Sequence, residues 1–130
     1  MEHEGLNMEY QEEEKGRQKY HERLHGLMDQ YVHSIYRATK SFPKEEQFGA
    51  TSQLRRASLS VVLNYVEGYA RQRSAVHKNF LEISFGSLKE SAYLTGFSLQ
   101  EGWLKEPMYT ALQKLEKEIG AMIWGILRKM

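Results

Sequence analysis

Apolar residues recur at intervals of three and four along most of the chain, and no stretch alternates long enough for a strand, so the pattern predicts helices. A first helix is predicted over about 17–40, with Tyr20, Leu24, Leu27, Tyr31 and Ile35 on one side. The segment SFPKEEQFGAT at 41–51 interrupts it, because the residue before a proline avoids helical geometry. A second helix follows over about 52–72 and a third over about 74–101, with Ser74 as N-cap and Gly102 as stop. After Pro107 a fourth helix sets Met108, Leu112, Leu115, Ile119, Met122 and Ile126 at bundle spacing. Helices joined by short connections fit an all-α, up-down antiparallel four-helix bundle over 17–130. Residues 1–16, with six glutamates, read as an acidic, disordered tail.

The second helix carries two apolar flanks. Leu54, Ala57, Val61 and Gly68 form one; Leu59, Leu63, Val66 and Ala70 form the other. A small monomer needs one buried flank, so the second, centred on Leu59, Leu63 and Val66, is expected to meet another chain. Between the flanks runs a polar stripe of Gln53, Arg56, Ser60, Asn64, Glu67 and Arg71, and on the far side a mixed face of Arg55, Ser58, Tyr65 and Tyr69. On the third helix, Val76, Phe80, Ile83, Leu94 and Phe97 form an apolar stripe broken by Ser87 and Glu90. A hairpin turning near residues 73 and 74 sets Ser87 level with Ser60, Ile83 with Asn64 and Glu90 with Arg56. A carboxylate in an apolar stripe is costly unless a cation meets it. The expectation is a partly buried polar network of Arg56, Ser60, Asn64, Glu67, Ser87 and Glu90, with Arg56 facing Glu90; the alternative is a solvated face.

These residues also carry a resemblance. Phe42-Pro43 with Phe48-Gly49, the run Ser52-Gln53-Leu54-Arg55-Arg56-Ala57, Asn64 with Glu67-Gly68, and Gly86-Ser87-Leu88 with Glu90 occur in order over about 30–105. The pattern resembles the four-helix-bundle family of 23S rRNA intervening-sequence proteins. The resemblance implies a homopentameric ring without enzymatic activity. It extends to the accessory variability determinants of diversity-generating retroelements, basic pentamers that bind nucleic acid and a reverse transcriptase. Val66 stands where alanine is more usual, and the acidic tail lies outside the pattern.

Composition narrows the function. The formal charge is +1, and the absence of cysteine removes disulfides and thiolate metal sites. The longest apolar run, IGAMIWGIL, is about half the roughly 20 residues of a membrane span, and the opening shows no export signal. A cytoplasmic protein with no membrane partner is expected. HERLH at 21–25 matches the zinc-peptidase pattern, with His21 and His25 as weak candidate ligands, Glu22 as base and Asp29 one turn on. No third ligand or substrate-binding strand accompanies it, so neither metal nor other cofactor is expected. Di-iron chemistry would require a second Glu-x-x-His, which is absent. Gly68 and Gly86 are read as points of close helix contact.

The first helix carries the partner signal. Lys19, Arg23, Gln30, His33, Arg37 and Lys40 share a heptad-spaced row with Gly26, uninterrupted by acid. Lys19, Arg23, Arg37 and Lys40 are the candidate nucleic-acid contacts, since a single-sign row suits phosphates. Arg71, Arg73 and Lys78 form a lesser basic spot. The reading is a non-enzymatic homo-oligomer associated with RNA or DNA, with a reverse transcriptase as the candidate protein partner. The alternatives are a purely structural scaffold and a zinc-dependent hydrolase.

Overall fold

The computed structural model describes residues 2–71 and 73–130, the side chains of residues 2–4 and 6 excepted; Met1 of the tail and Gln72 at the end of the second helix lie outside the described residues. Four α-helices are present: α1 (Glu2–Thr39), α2 (Ala50–Arg71), α3 (Ser74–Gln100) and α4 (Glu106–Leu127), with a 3-10 turn at Lys44–Glu46 and no strand among the described residues. Each helix packs on the next in the chain and α1 also packs on α4, the neighbour relations of an up-down bundle.

Helix ends follow local chemistry. The Thr39 hydroxyl donates to the Ile35 carbonyl at 2.8 Å, and the chain then turns into Phe42-Pro43. Ser74 is the first residue of α3 rather than its cap, the cap position falling on Arg73, which makes no side-chain cap bond. Gly102 ends α3 as expected. Its φ of +81° lets its own N–H reach Leu99 O and that of Trp103 reach Ser98 O, closing a Schellman turn. α1 begins at Glu2 rather than near residue 17. Glu, Gln, Lys and Met are good helix formers, and Glu14 pairs with Arg17 at 2.8 Å one turn on. The described residues up to Tyr20 are all exposed, so this first part of α1 lies outside the core.

The core takes Leu24, Met28, Tyr31 and Ile35 from α1, Leu54, Val61 and Tyr65 from α2, Leu81 and Leu88 from α3, and Leu112, Ile119 and Ile123 from α4. Tyr20, expected in the core, is largely exposed, and Leu27 is partly buried. The sharpest departure is on α3. Its buried seam is Leu81, Ser84, Leu88, Ser91, Thr95 and Ser98, while Val76, Ile83 and Phe97 of the apolar stripe are exposed. The buried hydroxyls are satisfied: Ser84 donates to Val61 O across the α2–α3 seam at 2.7 Å, Ser91 donates to Leu88 O and meets the Tyr31 hydroxyl, each at 2.7 Å, and Ser98 donates to Leu94 O. Burial pushes the Tyr31 phenol well above its ordinary pKa, so it stays neutral. Glu116, the one buried acid among the described residues, accepts from Lys89 at 3.0 Å.

Gly68 is the tightest point of the seam. A Cβ there would lie 2.8 Å from Phe80 Cβ and 3.3 Å from the His77 carbonyl, whereas a Cβ at Gly86 would meet nothing within 4 Å. The expected close contact therefore holds at Gly68 and not at Gly86. Gly68→Ala should destabilise by about 1–3 kcal/mol through overpacking, while Gly86→Ala should stabilise by up to about 1 kcal/mol through helix propensity. Urea denaturation of the two variants checks the opposite signs.

Candidate functional site

Three surfaces contain the residues singled out from sequence. The first is the α1 row. Lys19, Arg23, Gly26, Gln30, His33, Arg37 and Lys40 are all exposed, as a heptad-spaced row requires. The fold adds an acid that spacing within α1 could not reveal: Glu118 of α4 accepts a hydrogen bond from Arg23. Arg37 donates to Ser34 Oγ at 3.3 Å. Among the described residues, Lys19, Arg37 and Lys40 form no ion pair.

The second surface is the outward side of the α2–α3 hairpin. Ser60 and Ser87 share a hydrogen bond at 2.7 Å, and the Asn64 amide donates to Ser60 Oγ and to Ser60 O, each at 2.9 Å. The hairpin register expected from sequence thus joins Ser60 to Ser87. It does not join Arg56 to Glu90. Both are exposed and neither forms an ion pair among the described residues, because full hydration is available to each. Glu67 accepts from Arg71 at 2.9 Å one turn along α2. The network is three half-buried residues, with Arg56, Glu67 and Glu90 outside it.

Around that polar centre lies apolar surface. Leu59, Leu63 and Val66 of α2 are exposed, Leu63 to 63%, as are Ile83 and Phe97 of α3. Phe48, in the turn before α2, is 91% exposed, an apolar outlier that the sequence pattern did not flag. The mixed face of α2 turns inward except at Tyr69, which is exposed. Tyr65 and Ser58 are buried, and Arg55 donates to Thr39 Oγ1 at 2.8 Å and to Tyr36 O at 3.2 Å, closing the C-terminal end of α1.

The third surface holds HERLH. His21 Nδ1 hydrogen-bonds the Tyr65 hydroxyl, and its ring stacks on Tyr69 with centroids 3.5 Å apart. His25 instead approaches Asp29 at 3.8 Å, and Glu22 is exposed. Among the described residues no three His, Asp or Glu side chains converge on a point where a metal could sit. Burial, together with the neighbouring His25, pushes the His21 pKa below the ordinary value, and burial alone does so for His77. Among the described residues no helix is long and apolar enough to cross a membrane.

Two outcomes test this geometry. Arg56→Ala should cost less than about 1 kcal/mol, whereas Ser60→Ala and Ser87→Ala in a double-mutant cycle should show about 1 kcal/mol of coupling. The second concerns pH. His21 and His77 are harder to protonate folded than unfolded, so below the ordinary value near 6.5 the unfolded chain holds more protons. Their contribution to stability is complete above that pH and is lost as pH falls through it. Denaturation midpoints between about pH 8 and pH 5 should fall on acidification, and His77→Gln should flatten the slope.

The comparisons with known proteins agree with the architecture. The solved structure of a protein of unknown function from the S23 ribosomal protein family of Bacteroides thetaiotaomicron superposes with a TM-score of 0.77 at 18% identity, covering 84% of this chain and 98% of that one. At that identity the likeness shows the fold. No curated protein matches the sequence. The family model for the 23S rRNA-intervening sequence protein matches residues 26–125, which include the hairpin, its serine network and most of the α1 row, and the chain belongs to that family.

Proposed function

We propose that the chain works as a non-enzymatic homo-oligomer, a pentameric ring, that associates with nucleic acid through its phosphates. The observation that carries the reading is the α1 row: seven heptad-spaced positions exposed together, with Lys19, Arg37 and Lys40 unpaired among the described residues. A ring of copies would repeat that row around its circumference and multiply a weak cationic surface into a strong one. The exposed flank of Leu59, Leu63 and Val66 supports self-association, since contiguous apolar surface marks interaction sites. The family name points to an association with ribosomal RNA genes. A reverse transcriptase is the protein partner to which the reading extends, and the cytoplasm the compartment. Action by binding rather than catalysis is supported by the engagement of His21 with Tyr65 and of His25 with Asp29.

The Arg23–Glu118 pair favours a second reading, a scaffold without nucleic acid, because it neutralises one cation of the row. Changing Lys19, Arg23, Arg37 and Lys40 to Gln separates the two. The nucleic-acid reading expects weaker binding of RNA and DNA alike and a flatter dependence on salt, since phosphate contacts carry no base preference. Arg23→Gln alone should have the smallest effect of the four single changes. Filter binding at about 50 mM salt, where such contacts are strong, measures both; wild-type protein that binds neither polymer leaves the scaffold.

A further inference from the structure

A cavity of about 570 Å³ opens at the end of the bundle where α2, α3 and α4 meet the middle of α1. Its size falls in the range of small-molecule sites, roughly 300–1,000 Å³. It includes the His21 surface and differs in character from the α1 row and the outer hairpin face. The wall is aromatic: the His21 and Tyr69 rings are stacked within 12° of parallel, His77 meets Tyr69 edge-on with centroids 6.3 Å apart, and Tyr65 lies beside them. Tyr20 completes it, anchored by donating to the Met122 carbonyl at 2.8 Å.

The charged side chains are of one sign. Arg17, Arg128 and Lys129 line the cavity and no Asp or Glu does. Arg17 is held by Glu14 at 2.8 Å, but Arg128 and Lys129 form no ion pair among the described residues. His77 also lines the cavity, but its Nε2 is shut off from solvent and packs inside the protein rather than facing the opening.

We propose that this cavity binds a nucleotide, its base extending the Tyr69–His21 stack and its phosphate meeting Arg128 and Lys129. A flat ring and an anion together are what the lining recognises. Aromatic side chains stack bases of any sequence, and guanidinium is well matched to phosphate. Tyr69 is suited to the first task because the residue is 46% exposed while His21 stacks on its ring and fixes its orientation. The same chemistry is offered by a free mononucleotide and by the phosphorylated end of a strand. The site is separate from the α1 row: none of Lys19, Arg23, Arg37 or Lys40 lines it.

Calorimetric titration of the full chain with AMP, with adenosine and with a 5′-phosphorylated oligoadenylate tests the assignment. Saturable binding of AMP, weaker for adenosine, identifies a free nucleotide as the ligand; binding of the oligonucleotide without AMP identifies a strand end. In either case Tyr69→Leu should weaken binding about tenfold, the loss of one stacked base. Arg128→Gln with Lys129→Gln should remove the difference between AMP and adenosine, or between the phosphorylated and unphosphorylated oligonucleotide. These two positions are exposed, so that double variant keeps its fold if Tyr69→Leu does not. The four α1 changes to Gln should leave AMP binding intact, which keeps this outcome distinct from that of the row. Absence of saturable binding by either phosphorylated probe, or affinities unchanged in both cavity variants, overturns the proposal.

Discussion

The close seam between α2 and α3 is the constraint on which the rest of the molecule depends. It is the most extensive helix contact in the chain, and at Gly68 the helices approach so nearly that a single methyl would meet Phe80 Cβ at 2.8 Å. Such an approach is eased by small side chains, and α3 turns Ser84, Ser91 and Ser98 inward at heptad spacing, Ser84 against Val61 of α2 and Ser91 against Tyr31 of α1. A serine can line a buried seam only when its hydroxyl is satisfied. Here the acceptors are carbonyls of the neighbouring helix or of the preceding turn, so close packing and polar satisfaction are met by the same residues.

That choice has a consequence on the opposite side of the hairpin. With its small residues turned inward, α3 carries Val76, Ile83 and Phe97 on its surface, and α2 likewise carries Leu59, Leu63 and Val66. A single chain therefore buries its less apolar seam and exposes a more apolar one. The inversion is intelligible if the outer face is also an interior, covered by further copies of the chain. The Ser60, Ser87 and Asn64 cluster at its centre would then fix the alignment of those copies by giving the interface a polar point that must be matched.

Much of the fold was legible in the sequence because helical periodicity and helix breakers are local signals. Pro43, Gly102 and Pro107 marked the interruptions, and the hairpin register followed from the short turn and predicted the meeting of Ser60 with Ser87. What was not legible depended on contacts distant along the chain. Apolar periodicity assigned the third helix's strongest stripe no direction, since a buried serine seam gives no hydrophobic signal. Nothing within α1 announced that Glu118 would meet Arg23, or that His21 of the HERLH run would be taken up by Tyr65 and Tyr69. The Arg56–Glu90 pairing failed for a related reason: both long side chains reach water. The length of α1 was also missed, because acidic composition argued against structure while the same glutamates are good helix formers.

The account stands on the outer face of the hairpin being covered in solution by other copies of the chain. Light scattering coupled to size exclusion, applied to the wild type and to Leu63→Asp, measures that directly. The account predicts a closed oligomer, a pentamer, for the wild type and a folded monomer for the variant, because an aspartate buried at that position without a partner is too costly to keep. A wild-type chain that runs as a monomer at all concentrations would contradict it.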